Sequence, residues 1–206
     1  MISKELLKAQ VTYRLARRNL IQTPRPLTLT YSVTSACQSL CKSCNIGLVY
    51  QKNPKEMLKG DMTIDEVEKI FKSIGHVYFF NISGGEPFLR TDIVKIAELA
   101  CKHLTPKVIH TPTNALMPSV IERKTREILD MMRQNGYEDV IFTIKPSYDG
   151  IGKQHDHIRG VQGNYEKLMD TLHRLIELRK EYKNLHVGLG TVISKMNMKE
   201  VDKIII

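Results

Sequence analysis

Five short runs rich in β-branched and aromatic residues alternate with longer stretches in which apolar residues recur every three or four positions. This alternation constrains the fold most, because a strand followed by a helix before the next strand returns is built for parallel pairing. The runs lie at 26–34, 76–83, 107–114, 139–147 and 186–194, and they predict an α/β chain of βα units around a parallel sheet. Between them, Thr63 forms a capping box with Glu66; Val67, Ile70, Phe71 and Ile74 follow at helical spacing and Gly75 stops the helix. The next helix begins near Thr91 with Ile93, Ile96, Ala97 and Ala100 inward. A third spans 118–134 and stops at Asn135-Gly136, and a fourth starts at Asn164 with Leu168, Leu172, Leu175 and Ile176 on one face. Residues 3–20 predict an additional basic helix, so that 1–25 reads as an N-terminal helical extension to a core at 26–206. Residues 51–61 read as a polar loop. Residues 198–206 read as the first turns of a fifth helix with neither cap nor polar end, the expectation for a truncated chain or for an end covered by another chain.

With 206 residues and 42% hydrophobic content the chain has enough apolar surface for one core, which excludes disorder, collagen-like repeats and a disulfide-stapled miniprotein. No apolar run approaches the roughly 18 residues of a membrane span and the N-terminus is polar, so a cytoplasmic protein without membrane attachment is expected. The net charge of +9 suits nucleic acid or an anionic substrate, but the cations are scattered over helical stretches and read best as solvated faces.

Three of the 4 cysteines cluster as Cys37-x-x-x-Cys41-x-x-Cys44 just after the first strand. Soft thiolates on one short loop suit an iron–sulfur cluster or zinc, and three ligands leave one metal position open. The same spacing would line one face of a helix, but Gln38, Ser39, Lys42 and Ser43 make the segment too polar for a core helix. Cys101 sits on an apolar helix face and reads as core. His155 and His157 form a His-x-His pair, a spacing common in loops and a weak metal signal without further ligands.

The cysteine motif resembles that of radical S-adenosylmethionine enzymes, and further segments are similar to theirs in the same order. Ser83-Gly84-Gly85-Glu86-Pro87 resembles the Gly-Gly-Glu-Pro segment that contacts the amino group of S-adenosylmethionine. Thr113-Asn114 stands where the family often has Thr-Asn-Gly, with Ala115 in place of the glycine. Ser147-Tyr148-Asp149-Gly150 and His155-Asp156-x-Ile158-Arg159-Gly160 resemble the branch containing peptide maturases and haem- or quinone-cofactor biosynthesis enzymes. By that resemblance Ser147 contacts the ribose, Arg159 the methionyl carboxylate, and the segment from Val192 to Asn197 flanks the adenine, Asn197 being a further candidate contact. Ser43 replaces an aromatic residue that often precedes the third cysteine, so stacking on adenine comes from elsewhere or is weaker; Tyr31 and Tyr78 are open possibilities. The motifs fall at C-terminal ends of strands, where α/β barrels place their chemistry.

The resemblance implies a partial (βα)6 TIM-like barrel with about five units in this chain and the sixth missing. It implies a [4Fe–4S] cluster on Cys37, Cys41 and Cys44, with S-adenosylmethionine against Gly84, Gly85, Glu86, Pro87, Thr113, Asn114, Ser147, Arg159 and Asn197. One electron from an external reductant of flavodoxin or ferredoxin type would cleave the sulfonium to a 5′-deoxyadenosyl radical, which takes hydrogen from a peptide, cofactor precursor or other small molecule. No general acid or base is assigned. The competing classes are a non-catalytic metal- or cluster-binding module and a basic RNA-binding or RNA-modifying protein; nucleic acid is not the expected partner.

Overall fold

The structure, a computed structural model, describes residues 4–204. In chain order it contains α1 (Lys4–Arg17), β1 (Thr28–Ser32), α2 (Ile46–Lys52), α3 (Pro54–Leu58), α4 (Ile64–Ile74), β2 (Phe79–Ser83) and α5 (Ile93–Leu99). Then follow β3 (Val108–Thr113), α6 (Pro118–Gln134), β4 (Ile141–Pro146), α7 (Lys153–Arg159), α8 (Asn164–Glu181), β5 (Leu185–Val187) and α9 (Val201–Ile204). The strands form one sheet in sequential order, every neighbouring pair parallel. Each strand is therefore followed by a crossover that lays a helix on the same face.

That face holds the core. Phe80, Ile82, Ile109, Phe142 and Ile144 are fully shielded there, against Val67 and Phe71 of α4, Ile93 and Ile96 of α5, and Ile121 and Ile128 of α6. Phe71 meets Phe80 edge-on at 5.2 Å, and Tyr31 meets Phe71 at 6.0 Å. The Thr63–Glu66 capping box is present, and Gly75 ends α4 with φ 68°, a conformation costly for a residue with a Cβ. Ile93, Ile96, Ala97 and Ala100 are all inward.

Several elements differ from their sequence reading. Strand β5 covers three residues, where a strand over 186–194 was expected, and beyond it the chain stays beside β4 through Gly188 N–H on the Ile144 carbonyl and Gly190 N–H on the Pro146 carbonyl, both at 3.0 Å, ending at the Ser147–Gly190 bridge. Gly188 and Gly190 offer no side chains for packing, and Leu189, Val192 and Ile193 are exposed, so the apolar run gains little burial as a strand. The polar loop at 51–61 contains α3, because Pro54 at the first helical position presets the helical φ. Ile70 and Ile176 lie on solvent-facing sides of their helices. The basic helix ends at Arg17, with Ser3 outside the described residues, and the segment from 198 is a 3-10 turn followed by α9, with 205–206 outside them.

Candidate functional site

The cysteine segment runs from the end of β1 to the start of α2 without regular structure, and Cys37 and Cys41 are buried while Cys44 is exposed. The three therefore do not lie along a core helix. A loop this buried must satisfy its backbone groups elsewhere. On one side the turn after β2 supplies donors: Gly85 N–H to the Thr34 carbonyl at 2.8 Å and Glu86 N–H to the Ala36 carbonyl at 2.7 Å. The approach is so close that a Cβ on Gly85 would stand 2.2 Å from the Ala36 oxygen. On the other side the end of α7 accepts, with Leu40 N–H on the Arg159 carbonyl at 3.2 Å and Lys42 N–H on the Ile158 carbonyl at 2.9 Å. Gly160 adopts φ 70° beneath the loop, where a Cβ would meet the Leu40 oxygen at 2.1 Å. Asp61 and Arg90 fix the loop's entry. Thr34 donates its hydroxyl to Asp61 at 2.6 Å and Arg90 donates to the Val33 carbonyl at 2.9 Å.

Glu86 is fully buried. Its carboxylate accepts from Phe88 N–H at 3.2 Å, the Thr113 hydroxyl at 2.9 Å and Asn114 N–H at 2.7 Å, tying the β2 turn to the end of β3. Burial pushes its pKa up to about 7 against the pull of those donors. Asn114 donates from Nδ2 toward Cys37 Sγ at 3.8 Å and to Gln38 at 3.2 Å. Its carbonyl accepts from Asn164 Nδ2 at 3.0 Å. Asn164 Oδ1 lies 3.0 Å from His155 Nε2, and His155 Nδ1 accepts from Asp149 N–H at 3.2 Å. That acceptor assigns the ring proton to Nε2, and burial holds the His155 pKa below its usual range, so the imidazole is neutral. Asp149 pairs with Arg159 at 3.1 Å, while the Arg159 Nε–H is buried with no partner among the described residues. Asn197 donates to the carbonyls of Asp149 at 3.0 Å and Val192 at 2.9 Å.

These contacts enclose a cavity of about 320 Å³ at the C-terminal ends of the strands. Cys37, Cys41, Cys44, Gly84, Gly85, Thr113, Asn114, Ser147 and Arg159 all line it. Glu86, Pro87 and Asn197 stand behind its wall: all three are buried, and Glu86 and Asn197 spend their polar atoms on protein partners. Tyr31 lies in the core and Tyr78 lines a different cavity, against α1, so neither reaches it. Val192, from the segment expected to flank the adenine, lines the cavity, whereas sequence reasoning missed Ile46 and Pro112 in the apolar lining and the Asp149–His155–Asn164 chain behind it. The His-x-His pair is split, since His155 points inward and His157 contacts the Lys42 ammonium at 2.6 Å. Among the described residues no three His, Cys, Asp or Glu side chains converge tightly enough to hold one metal ion. The three thiols border the same cavity.

The profile of the radical SAM superfamily matches residues 31–205, and the chain belongs to that family. Its members are enzymes that use a [4Fe–4S] cluster and S-adenosylmethionine. Pre-heme d1 synthase of Dinoroseobacter shibae is 28% identical over 185 residues, covering 89% of this chain and 40% of that protein. AdoMet-dependent heme synthase of Methanosarcina barkeri is 25% identical, covering 88% and 46%, and mycofactocin maturase MftC of Mycolicibacterium smegmatis is 25% identical, covering 86% and 40%. The chain thus spans less than half the length of these relatives. Among solved structures, anSMEcpe with bound AdoMet superimposes with a TM-score of 0.61 at 24% identity, covering 87% of this chain and 47% of that one. Streptococcus suis SuiB bound to precursor peptide SuiA gives 0.54 at 18% identity, covering 98% and 40%. The fold is accordingly the partial TIM-like barrel of this family, five parallel strands of it lying in this chain.

Proposed function

We propose that Cys37, Cys41 and Cys44 hold a [4Fe–4S] cluster, that S-adenosylmethionine fills the adjoining cavity, and that the chain directs radical chemistry on a peptide or cofactor precursor. One observation carries the reading: three thiols, the Gly84-Gly85 turn and an arginine with an unused donor border one cavity. Bound there, the cluster and S-adenosylmethionine together supply reductive sulfonium cleavage and, through it, hydrogen-atom abstraction. The protein's share is position. Arg159, held by Asp149, keeps its Nε–H free for a carboxylate, and a guanidinium fork suits that group better than an ammonium. Gly84 and Gly85 present backbone to the cavity beside Cys37, where the amino group of the ligand would sit. Ser147 offers a hydroxyl for the ribose, and Ile46 with Val192 gives the adenine an apolar surface in place of an aromatic ring. Glu86 and Asn197 act as positioning residues. A one-electron donor of flavodoxin or ferredoxin type supplies the electron. A peptide substrate is favoured by the maturases among the relatives and by SuiB bound to its precursor peptide. A cytoplasmic setting accords with the absence, among the described residues, of a helix long and apolar enough to cross a membrane.

Anaerobic reconstitution with iron and sulfide tests the proposal. The chain should gain the broad thiolate-to-iron absorbance and bind S-adenosylmethionine. Cys41→Ala should lose the absorbance. Arg159→Lys should keep it while binding S-adenosylmethionine about tenfold or more weakly, the loss of one charge-assisted hydrogen bond. Retention of zinc alone without S-adenosylmethionine binding would favour the non-catalytic module, and strongly salt-dependent RNA binding in its place would favour the nucleic-acid reading.

A further inference from the structure

The two faces of the sheet carry different chemistry. Helices cover the face bearing Phe80, Ile109, Phe142 and Leu185. On the other face the strand register places Thr30, Asn81, His110, Thr143 and His186 side by side, one residue from each strand. None of the five is buried, and all are polar. Parallel sheets are ordinarily apolar on both faces, and closed barrels fill this position with branched apolar side chains. The next rung toward the N-terminal ends is largely apolar, with Phe79, Val108 and Ile141, and forms a floor. The next rung in the other direction pairs Pro112 with Lys145, and Pro112 lines the cavity of the candidate site. The polar rung therefore lies two residues along the strand from that cavity's wall.

Part of its polar capacity is unused, although Asn81 Nδ2 donates to the Thr30 hydroxyl at 3.5 Å. Asn81 Oδ1 is shielded from water and has no partner among the described residues. The half-buried His110 ring stacks on Phe79 at 5.8 Å and makes no hydrogen bond to a described residue. Lys145 lays its stem beside Gly188, at the ordinary contact distance of 3.6 Å from where a side chain there would begin, and its ammonium pairs with no described carboxylate. No strand of the sheet contains Asp or Glu. The rung and Lys145 two residues beyond it thus combine an unopposed positive charge, imidazole and hydroxyl groups, and one acceptor that needs a donor.

We propose that Lys145, His110 and Asn81 form a substrate subsite for a carboxylate with an N–H or O–H donor beside it: the ammonium and imidazole take the carboxylate, and Asn81 Oδ1 takes the donor. The subsite rests on the function proposed above for its catalytic meaning, but not for its existence. N-acetylglycine, which has both groups, and N-acetylglycinamide, which lacks the charge, are the probes. Binding is read on the imidazole signals of the cluster-free chain by 1H–15N NMR. N-acetylglycine should shift the His110 and His186 signals saturably and N-acetylglycinamide should not. Lys145→Met, an exposed position, should weaken the effect at least fivefold, and Lys145→Gln should do the same if the methionine variant misfolds. Equal shifts with the amide, an unchanged response in both Lys145 variants, or a response lost only in Arg159→Lys would each overturn the subsite. S-adenosylmethionine affinity of the reconstituted Lys145→Met chain should match wild type. If the wild-type chain bound no S-adenosylmethionine, the proposed function would fail while the carboxylate result stood by itself.

Discussion

The helix-covered face of the sheet and the polar groups behind its C-terminal end are equally inaccessible to water, by opposite chemistry. Phe80, Ile109 and Phe142 are fully buried on that face, and Glu86, His155 and Asn164 are fully buried at the end. On the helix-covered face, burial itself stabilises, at roughly 25 cal/mol per Å² of apolar surface, and the force has no preferred direction. At the end, burial costs free energy unless each donor and acceptor finds a partner, and those partners fix angle as well as distance. The apolar layer therefore holds the fold, while the polar layer holds the orientation of Cys37, Arg159 and the Gly84-Gly85 turn. A change in the first should cost stability and leave ligand affinity in the folded fraction intact. A change in the second should alter both.

Phe80→Ala is the strongest test of the first half. Phe80 is fully buried and meets Phe71 edge-on at 5.2 Å, so its loss should cost about 3–5 kcal/mol in urea unfolding. S-adenosylmethionine affinity of the molecules that remain folded should not change, and a weakened affinity would break the separation between the layers. Glu86 gives the next largest effect. Its folded pKa of about 7 stands above the ordinary 4.5, so between those values the unfolded chain binds fewer protons than the native one. Stability therefore falls as pH rises through that window, by roughly 3 kcal/mol in all, and is fully recovered only below it. His155, whose pKa is lowered by burial, works in the opposite direction near its ordinary 6.5. The contribution of Glu86 is isolated by comparing the cluster-free wild type with Glu86→Gln at pH 5 and pH 7.5: the variant's stability should fall far less between the two.

The apolar layer was legible in the sequence and the polar layer only in part. Helix α6 has the bounds that its proline and Asn135-Gly136 announce, and the Thr63–Glu66 box forms as spaced, because both are set by neighbours within a few residues. The motifs located the cavity wall for the same reason: each is a short string at a strand end. What joins the strings was hidden. Asn164 reaches the Asn114 carbonyl across 50 positions of sequence, and Glu86 reaches Asn114 across 28. Glu86 looked like a ligand to the cofactor's amino group because it is a carboxylate beside two glycines, and only three-dimensional pairing shows its oxygens already occupied. Gly85 is needed for its approach to Ala36, a contact that composition cannot reveal. Strand β5 misled because β-branched residues signal a strand only where a pleated surface buries them, and Val192 and Ile193 are exposed.

Asn197→Ala probes the polar layer behind the cavity more gently. The amide spans the carbonyls of Asp149 and Val192 and accepts from Ser194 N–H at 2.7 Å, so its removal leaves buried groups unpaired at a cost of about 1–3 kcal/mol. Unlike Phe80→Ala, it should also weaken S-adenosylmethionine binding in calorimetric titration, because Asp149 orients Arg159 and Val192 lines the cavity. Unchanged affinity would mean that the segment after β5 is held by its other contacts.

The smallest effect should come from Ala115, which the sequence marks as a departure from a glycine-bearing turn. The turn nonetheless has the conformation a glycine would favour: Ala115 sits at φ 61° and is fully buried. Ala115→Gly relieves left-handed strain of about 1 kcal/mol but removes a buried methyl worth about 0.8 kcal/mol and loosens the unfolded chain. The sum is a net loss of less than about 1 kcal/mol, with cofactor affinity unchanged. Ala115→Val adds a branched Cβ that the same φ does not accommodate, and should cost several times more than the glycine variant gains or loses. Equal urea midpoints for the valine and glycine variants would show that the turn is not held in this conformation, and that the polar layer is softer than its hydrogen bonds imply.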